Sequence, residues 1–203
     1  MSKKPIIVFE GIEGTGKSHH IKNVAYYLKK NKQDFIKIRE PGGSKNSEMI
    51  RKLILNNKSK FNKHTDLLLY LSARSENMEL IKKNMGKKII LIDRFSDSTI
   101  AYQHYGMGIN LKFISDINNY LLKGINIDFT FLNTVSLKNM NNRLMKRKNL
   151  NRYDKFNNMF YEKVQKGFIK ILKGNPKKYM NIDSNMNIEV NESIILNKID
   201  DLI

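Results

Sequence analysis

FEGIEGTGKS, residues 9–18, is the segment from which the architecture of this 203-residue chain can be predicted. A short run of β-branched and aromatic residues, Pro5–Glu10, leads into it, and apolar residues at helical spacing follow it between Ile21 and Leu28. Residues 11–18 fit the pattern G-x-x-x-x-G-K-[ST] without a mismatch. Glycines in such a loop let successive backbone N–H groups face a phosphate, and the following helix adds partial positive charge at its N-terminus. The segment therefore predicts a strand, a phosphate-binding loop and a helix, and the loop residues are Gly11, Ile12, Glu13, Gly14, Thr15, Gly16, Lys17 and Ser18.

Strands and helices alternate along the rest of the chain. The apolar run KIILID, Lys88–Asp93, is typical of a strand buried on both faces. Other strands are predicted at Asp34–Arg39, Asp128–Leu132 and Lys178–Ile182, and helices around Met49–Ile54 and at Thr65–Asn84, Ser98–Tyr105, Leu111–Lys123, Ser136–Arg147, Phe156–Lys173 and Val190–Ile203. This alternation predicts an α/β fold with a parallel sheet flanked by helices, and an active site beyond the carboxyl ends of the strands. No linker or repeat interrupts the chain, so residues 1–203 are predicted to form one domain.

Composition excludes several classes of protein. The chain has no cysteine, which excludes a disulfide framework, a thiolate metal site and a cysteine nucleophile. No apolar run is long enough for a signal peptide or a membrane span, so we expect a cytoplasmic protein without a membrane partner. Lys and Arg number 37 against 19 Asp and Glu, giving a formal net charge of +18. Such a charge suits a nucleic-acid binder or a protein for polyanionic small molecules, or reflects a general drift toward lysine. The lysines are scattered without interleaved aromatics, so no nucleic-acid partner is expected.

An acid and an arginine follow the buried strand at Lys88–Asp93. Asp93 is at the position of an acid that holds Mg²⁺ in phosphate-binding-loop enzymes, and the Ser18 hydroxyl is the usual second ligand. Arg94 would place a cation beside the phosphates. The alternative interpretation is that Asp93 only caps the turn at the end of the strand, which is a common arrangement. The sequence lacks the N-K-x-D motif of regulatory GTPases and the H-R-D and D-F-G motifs of protein kinases. These features predict a small enzyme that transfers phosphate to a small acceptor.

Five blocks in order resemble the bacterial type of the thymidylate kinase family. They are FEGIEGTGKS at 9–18, IREPGGS at 38–44, LLLYLSAR at 67–74, DRFSDSTIAYQ at 93–103 and a polar stretch at Arg143–Arg152 that resembles the family's lid. The resemblance covers nearly the whole chain and implies the nucleoside-monophosphate-kinase fold with a five-stranded parallel sheet. It implies transfer of the γ-phosphoryl group of ATP to dTMP, with Mg²⁺, in a homodimer. An apolar helical segment such as Asp66–Leu71 could supply the dimer contact.

The resemblance also implies roles for individual residues. Glu13 corresponds to an acid near the 3′-hydroxyl of the acceptor sugar, and Tyr70 takes the place of a Phe that stacks on thymine. Arg39, Arg74 and Arg94 correspond to arginines that converge on the acceptor phosphate and base. Side chains around the base and sugar complete the implied substrate site, and they are Pro41, Thr99, Tyr102 and Gln103. On pattern alone, Tyr70 is more often a core residue, Arg74 is an ordinary surface arginine and Thr99 is an ordinary helix residue.

The implied lid, about residues 145–155, determines the subtype. Some members carry an arginine in the phosphate-binding loop, but here Gly14 follows Glu13. Arg147 and Arg152 resemble the arginines that a mobile lid places over the γ-phosphate, and the predicted catalytic residues are therefore Lys17, Arg94, Arg147 and Arg152. A solvated basic loop is the simpler interpretation of the same stretch.

Two other functions stay open on sequence grounds. One is a kinase for another pyrimidine nucleotide or a deoxynucleoside, which would share the phosphate-binding loop and Asp93-Arg94. The other is a basic nucleic-acid-binding protein that uses ATP as a switch. His19 and His20, directly after the loop, are interpreted as packing or solvent-facing residues.

Overall fold

The computed structural model describes residues 4–203, so residues 1–3 of the predicted domain lie outside the described part. Five strands form one sheet: β1 (Ile6–Glu10), β2 (Phe35–Arg39), β3 (Ile89–Asp93), β4 (Phe129–Thr134) and β5 (Tyr179–Asp183). Their order is β2-β3-β1-β4-β5, and every neighbouring pair is parallel. The α/β class and the five-stranded parallel sheet are therefore confirmed, while the division into one domain stays a prediction.

Within residues 4–203, eight α-helices connect and cover the strands. They are α1 (Lys17–Lys30), α2 (Lys45–Leu55), α3 (Lys63–Asn84), α4 (Ser96–Thr99), α5 (Leu111–Leu121), α6 (Leu137–Met145), α7 (Asn158–Gly174) and α8 (Ile188–Leu202). A π-helix (Ile100–Gly106) continues α4, and 3₁₀ turns lie at Arg152–Lys155 and Pro176–Lys178. Among residues 4–203, no helix is long and apolar enough to cross a membrane.

The sheet is buried on both faces because alternate residues of each strand enter different cores. Ile7 and Phe9 of β1 pack with α1 and α8 on one face. Ile6 and Val8 of the same strand pack on the other face, with Ile81 of α3. A third cluster joins the end of β4 to α6, α7 and the π-helix. Packing on both faces therefore fixes the carboxyl ends of the strands, where the loops with the predicted site residues begin.

Candidate active site

One cavity of about 340 Å³ lies beyond the carboxyl ends of β1, β2 and β3. Residues 13–18 line it after β1, residues 39–41 after β2 and residues 93–95 after β3. Helices α2, α3 and α4, the π-helix and the segment between α6 and α7 supply the remaining walls. This is the edge of a parallel sheet at which such folds bind ligands, as the sequence predicted.

The phosphate-binding loop joins β1 to α1 through a left-handed glycine. Gly16, with φ 81°, is the N-cap of α1, and no side chain in the described part of the chain caps that helix. Lys17 Nζ donates to the carbonyl oxygens of Gly11 (2.8 Å) and Ile12 (2.7 Å). Burial, and then the neighbouring Arg94, lower the pKa of Lys17 to about 7. The loop thus offers a helix N-terminus and a buried amine to an anion.

Gly11 lets the loop approach the sheet closely. Its φ is 134°, and a Cβ there would lie 2.1 Å from the carbonyl oxygen of Asn133 at the end of β4. Ile12, which is fully buried, belongs to the core cluster below the loop. Gly11 and Ile12 therefore shape the loop, and the six residues from Glu13 to Ser18 line the cavity.

Arg94 bridges the loop after β3 to the phosphate-binding loop. Its backbone is left-handed, with φ 64°, which is uncommon for a residue with a side chain. Its Nη1 donates to the Gly11 carbonyl (2.7 Å) and its Nη2 to Glu13 Oε1 (2.9 Å). Glu13 Oε2 in turn accepts from the Tyr102 hydroxyl at 2.5 Å. The Arg94 guanidinium therefore lies beside the loop that would hold phosphate, and Glu13 is bonded to both Arg94 and Tyr102.

Glu10, which the sequence analysis did not single out, fixes the turn that carries Arg94. It is fully buried, and its carboxylate accepts from the backbone N–H groups of Phe95 (2.8 Å) and Ser98 (3.1 Å). The Ser98 hydroxyl also donates to it, at 2.6 Å. Burial, and then the charge of Asp97, raise the pKa of Glu10 to about 8.

Arg39 and Arg74 line the cavity on the side of β2 and α3. Arg39 is more than half exposed and forms two hydrogen bonds to Glu48, at 3.1 and 3.0 Å. Arg74 is buried, donates from Nε to Glu40 Oε2 (2.8 Å) and from Nη1 to Asn118 Oδ1 (2.7 Å). A buried guanidinium whose orientation is fixed by two partners can present its remaining N–H groups to a ligand in a defined geometry.

Sequence reasoning missed Arg51, which projects from α2 into the same cavity. Its Nη1 donates to the carbonyl oxygen of Pro41 at 2.6 Å. A compositional signal could have found it, since only 7 of the 37 basic residues are arginines. Five of the seven arginines line the cavity, and they are Arg39, Arg51, Arg74, Arg94 and Arg147. Arg143 donates to the phosphate-binding loop, and Arg152 lies in the lid.

Aromatic rings and two unpaired polar atoms form the far wall of the cavity. Tyr70 and Tyr153 meet edge to face, with ring centroids 5.7 Å apart. Thr99 Oγ1 and Gln103 Nε2 are buried beside them, and within residues 4–203 neither atom has a hydrogen-bond partner. Because buried polar groups are nearly always paired, these two atoms mark a place for a polar ligand group.

The two arginines predicted in the lid lie in different surroundings. Arg147 lines the cavity, is 43% exposed and donates to Asp154 Oδ1 at 2.6 Å. Arg152 is held elsewhere, because it donates to Asp66 in α3 and to the carbonyl oxygen of Ile54 at the end of α2. Only Arg147 therefore borders the space in which a phosphate would lie.

The remaining predicted positions are also at the cavity. Ser18 Oγ donates to Asp93 Oδ2 at 3.3 Å, so the two predicted magnesium ligands are neighbours. His19 lies at the rim and bonds to Glu192 at 2.5 Å. His20 is buried, as expected for a packing residue.

Comparisons with known proteins agree on one family. The family model described as "Thymidylate kinase" matches residues 9–195. A thymidylate kinase of Kosmotoga olearia is 31% identical over 192 residues, which cover 93% of this chain and 92% of the relative. One of Acholeplasma laidlawii is 36% identical over 197 residues, or 95% and 97% of the two chains. The crystal structure of thymidylate kinase from Ehrlichia chaffeensis superposes with a TM-score of 0.77 at 29% identity, covering 97% of this chain and 98% of that one.

Proposed function

The chain belongs to the thymidylate kinase family, whose members phosphorylate dTMP to dTDP with ATP, and we propose that the cavity described above holds both nucleotides for this reaction. The donor phosphates lie against Gly14–Ser18 and the acceptor against α3 and the π-helix. An oxygen of the dTMP phosphate attacks the γ-phosphorus, the bond from that phosphorus to the β,γ-bridging oxygen breaks, and ADP leaves. Family membership decides between the acceptors left open by the sequence in favour of the nucleotide dTMP.

The thymine half of the proposal depends mainly on one observation, the unpaired atoms Thr99 Oγ1 and Gln103 Nε2. A pyrimidine base carries carbonyl oxygens and an imide N–H at its edge, which can pair with a hydroxyl and an amide. Tyr70 and Pro41 supply an aromatic face and an apolar edge in the same cavity. Arg74, held by Glu40 and Asn118, has N–H groups left for a base carbonyl.

The acceptor phosphate is bound by guanidinium groups. Arg39, Arg51 and Arg94 reach the cavity from three different elements. Two polyanions must be brought together for the transfer, and fixed cations offset their repulsion at low cost in reorganisation. Glu13, bonded to Tyr102, is close to the sugar 3′-hydroxyl in this arrangement and accepts a hydrogen bond from it.

Lys17 and Arg147 stabilise the transferring group from opposite sides. Lys17 Nζ gives up its contacts with the loop carbonyls and binds the β- and γ-phosphates. Arg147 approaches from the lid, since it is the lid arginine that borders the cavity. Because the transition state of phosphoryl transfer spreads charge over the equatorial oxygens, positioned cations supply most of the catalysis.

We propose that Mg²⁺ is held by Ser18 and Asp93. The donor set fits, because Mg²⁺ prefers oxygen ligands and takes few of them from protein, and the hydroxyl and carboxylate are 3.3 Å apart. Among residues 4–203, no group of three His, Cys, Asp or Glu residues could enclose a metal, as expected for an ion shared with substrate phosphates. When bound, the ion neutralises charge on the β- and γ-phosphates. We further place the enzyme in the cytoplasm, as the absence of cysteine favours.

Coupled ADP release with MgATP tests the proposal, with dTMP, dUMP, dCMP, AMP, GMP and thymidine offered in parallel. Turnover with dTMP far above the other acceptors is the expected result. Equal turnover with dCMP would contradict the thymine pocket while keeping the kinase. Turnover with thymidine would contradict the assignment of the arginines to an acceptor phosphate.

A further inference from the structure

Asp66, in the first turn of α3, is a buried carboxylate that the proposed reaction does not use. It is 2% exposed, and both of its hydrogen-bond donors come from the lid. Arg152 donates to Oδ1, and the Tyr153 hydroxyl donates to Oδ2 at 2.9 Å. A buried charge is stable only when it is paired, so these two contacts keep the lid residues against the start of α3.

The neighbouring helix α2 holds the lid on the same side. Arg152 also donates to the carbonyl oxygen of Ile54, and the Asn57 side chain donates to the carbonyl oxygen of Leu150 at 2.9 Å. The guanidinium of Arg152 lies over the rings of Phe61 and Tyr153, 5.5 and 4.9 Å from their centroids. The lid is therefore docked on the helices that form the acceptor side of the cavity.

Helix α3 joins this docking point to the acceptor wall. Tyr70 is four residues after Asp66, so the two side chains share one face of the helix. Tyr153, bonded to Asp66, is in contact with Tyr70 and Tyr102, which both line the cavity. A nucleotide seated against Tyr70 therefore meets a ring whose position depends on Asp66.

The same docking point is linked to the donor side through Asp154. This residue directly follows Tyr153, caps the 3₁₀ turn through Asn151 and accepts from Arg147. A displacement of Tyr153 moves Asp154 with it, and the guanidinium of Arg147 follows. One short segment thus connects the acceptor wall to the lid arginine.

We propose that Asp66 is a positioning residue for phosphoryl transfer: it docks the lid on α3 through Arg152 and Tyr153, and so couples occupation of the acceptor half to the position of Arg147 over the donor half. The proposal rests on the function proposed above. Asp66 touches neither nucleotide and acts through the lid.

Asp66→Asn tests the proposal, with Asp116→Asn as the matched control. The control loses an exposed ion pair with Lys112 on α5, and neither residue lines the cavity. The measured quantity is the dissociation constant of a non-hydrolysable ATP analogue with Mg²⁺, with and without saturating dTMP. In the unmodified protein and the control we expect dTMP to lower the dissociation constant of the analogue by about fivefold or more, which is the lower end of the usual range for coupling between two sites. In Asp66→Asn we expect the ratio to fall to about one and kcat to fall, with binding of dTMP alone nearly unchanged.

Two further measurements separate positioning from general stability. Thermal unfolding shows whether Asp66→Asn is folded. If it is not, Tyr153→Phe takes its place, because this variant keeps the ring and removes one of the two hydrogen bonds to Asp66. We expect it to lose part of the coupling. A double-mutant cycle between Asp66→Asn and Arg152→Lys is expected to be non-additive in kcat, because each variant breaks the same contact. A folded Asp66→Asn protein with full coupling, or additive effects in the cycle, would overturn the proposal. Because the coupling is measured by binding, its loss is distinguishable from failure of the dTMP kinase activity itself.

Discussion

Thr99 and Gln103 each have a buried polar atom without a hydrogen-bond partner in the part of the chain that the structure describes, and this gives the two residues opposite effects on stability and on binding. An unpaired buried group destabilises the native state, so Thr99→Val and Gln103→Leu are expected to raise the free energy of unfolding slightly. Each change removes one hydrogen bond to the base, so KM for dTMP should rise about 2- to 10-fold while kcat changes little.

The matched control for Thr99→Val is Thr130→Val, since Thr130 is a buried threonine of β4 outside the nucleotide cavity. Steady-state kinetics and urea unfolding on the three variants provide both readouts. An unchanged KM for dTMP in both cavity variants would contradict their assignment to the base.

Glu10 predicts a specific dependence of stability on pH. Its pKa is about 8 in the folded protein, because of burial first and the neighbouring Asp97 second, while Ser98, Phe95 N–H and Arg94 oppose the rise. Between pH 4.5 and 8 the native state therefore keeps a proton that the unfolded chain has released, and stability falls as pH rises through this window. Glu10→Gln removes the ionisation, so its stability relative to the unmodified protein should improve toward pH 8.

Urea unfolding between pH 5 and 8.5 measures this effect. The free-energy difference between Glu10→Gln and the unmodified protein is expected to grow by at most about 1.4 kcal/mol per pH unit. Asp97→Asn is a useful second variant, because removing that charge lowers the pKa of Glu10. In this variant the loss of stability should therefore be complete at a lower pH. Parallel curves for Glu10→Gln and the unmodified protein would disprove the assignment.

The lid contains two arginines that the structure gives different surroundings. Arg147 faces the cavity, and its partner Asp154 belongs to the same segment, whereas Arg152 is docked on Asp66. Arg147→Lys keeps the charge but loses the planar fork, so kcat should fall by about tenfold or more with little change in KM for dTMP. Arg147→Ala should lose still more, up to the thousandfold seen for arginine fingers.

Lys148→Ala is the control for Arg147→Ala, because Lys148 is an exposed cation in the same loop. Single-turnover rates of the three variants distinguish the chemical step from product release. If Arg147→Ala retained full kcat, the lid would act only as a cover that excludes water.

The helices show where sequence patterns are sufficient and where they are not. Every predicted strand is present within two residues of its expected bounds, because unbroken apolar runs are a strong signal for strands buried on both faces. Three helices begin two residues from the predicted position because asparagine side chains cap them, and these caps are Asn62, Asn157 and Asn187. In a chain rich in asparagine, hydrophobic periodicity alone does not distinguish a capping asparagine from its neighbours.

The π-helix at Ile100–Gly106 was not predictable from periodicity. It forms where this segment packs closely on α7: a Cβ at Gly106 would lie 2.7 Å from the Phe160 ring, and one at Gly167 would lie 2.5 Å from Tyr105. Such a contact between distant segments leaves no local trace in the sequence. The same holds for Arg152, whose partner Asp66 is 86 residues away, so the sequence predicted two lid arginines without separating their roles.

Across the whole molecule, the type of basic residue is more informative than the net charge of +18. Lysine fills most basic positions, and the seven arginines are confined to the cavity, the phosphate-binding loop and the lid. Lysine is an adequate solvated charge on a surface, but it lacks the planar fork that binds phosphate or fixes a carboxylate. Arginine is therefore kept where geometry matters, while lysine fills the other basic positions.

The homodimer implied by the family resemblance needs an apolar surface, and exposed apolar side chains lie on α2, α3 and α5. Of the predicted contact Asp66–Leu71, the side chains of Asp66, Leu67 and Leu71 are buried within the chain, whereas Leu68 is 52% exposed. The neighbouring helices α2 and α5 also carry exposed apolar residues, which are Met49, Leu53 and Phe113. Exposed apolar side chains on neighbouring helices are typical of an interaction site, so we propose that these side chains pack against a second copy of the chain.

Leu68→Glu is therefore expected to convert a dimer, twice the 23.8 kDa of the chain, into a monomer in sedimentation equilibrium. Tyr26→Glu on α1 changes an even more exposed side chain outside this surface and should stay dimeric. Leu68 is two positions before Tyr70, and such residues point to nearly opposite sides of a helix. A partner packed on the outer side of α3 would thus hold the acceptor wall on its inner side, and the monomeric variant should bind dTMP more weakly. If Leu68→Glu remains a dimer, or if the unmodified chain is a monomer, this surface is not the interface and α3 is held by the lid and the core alone.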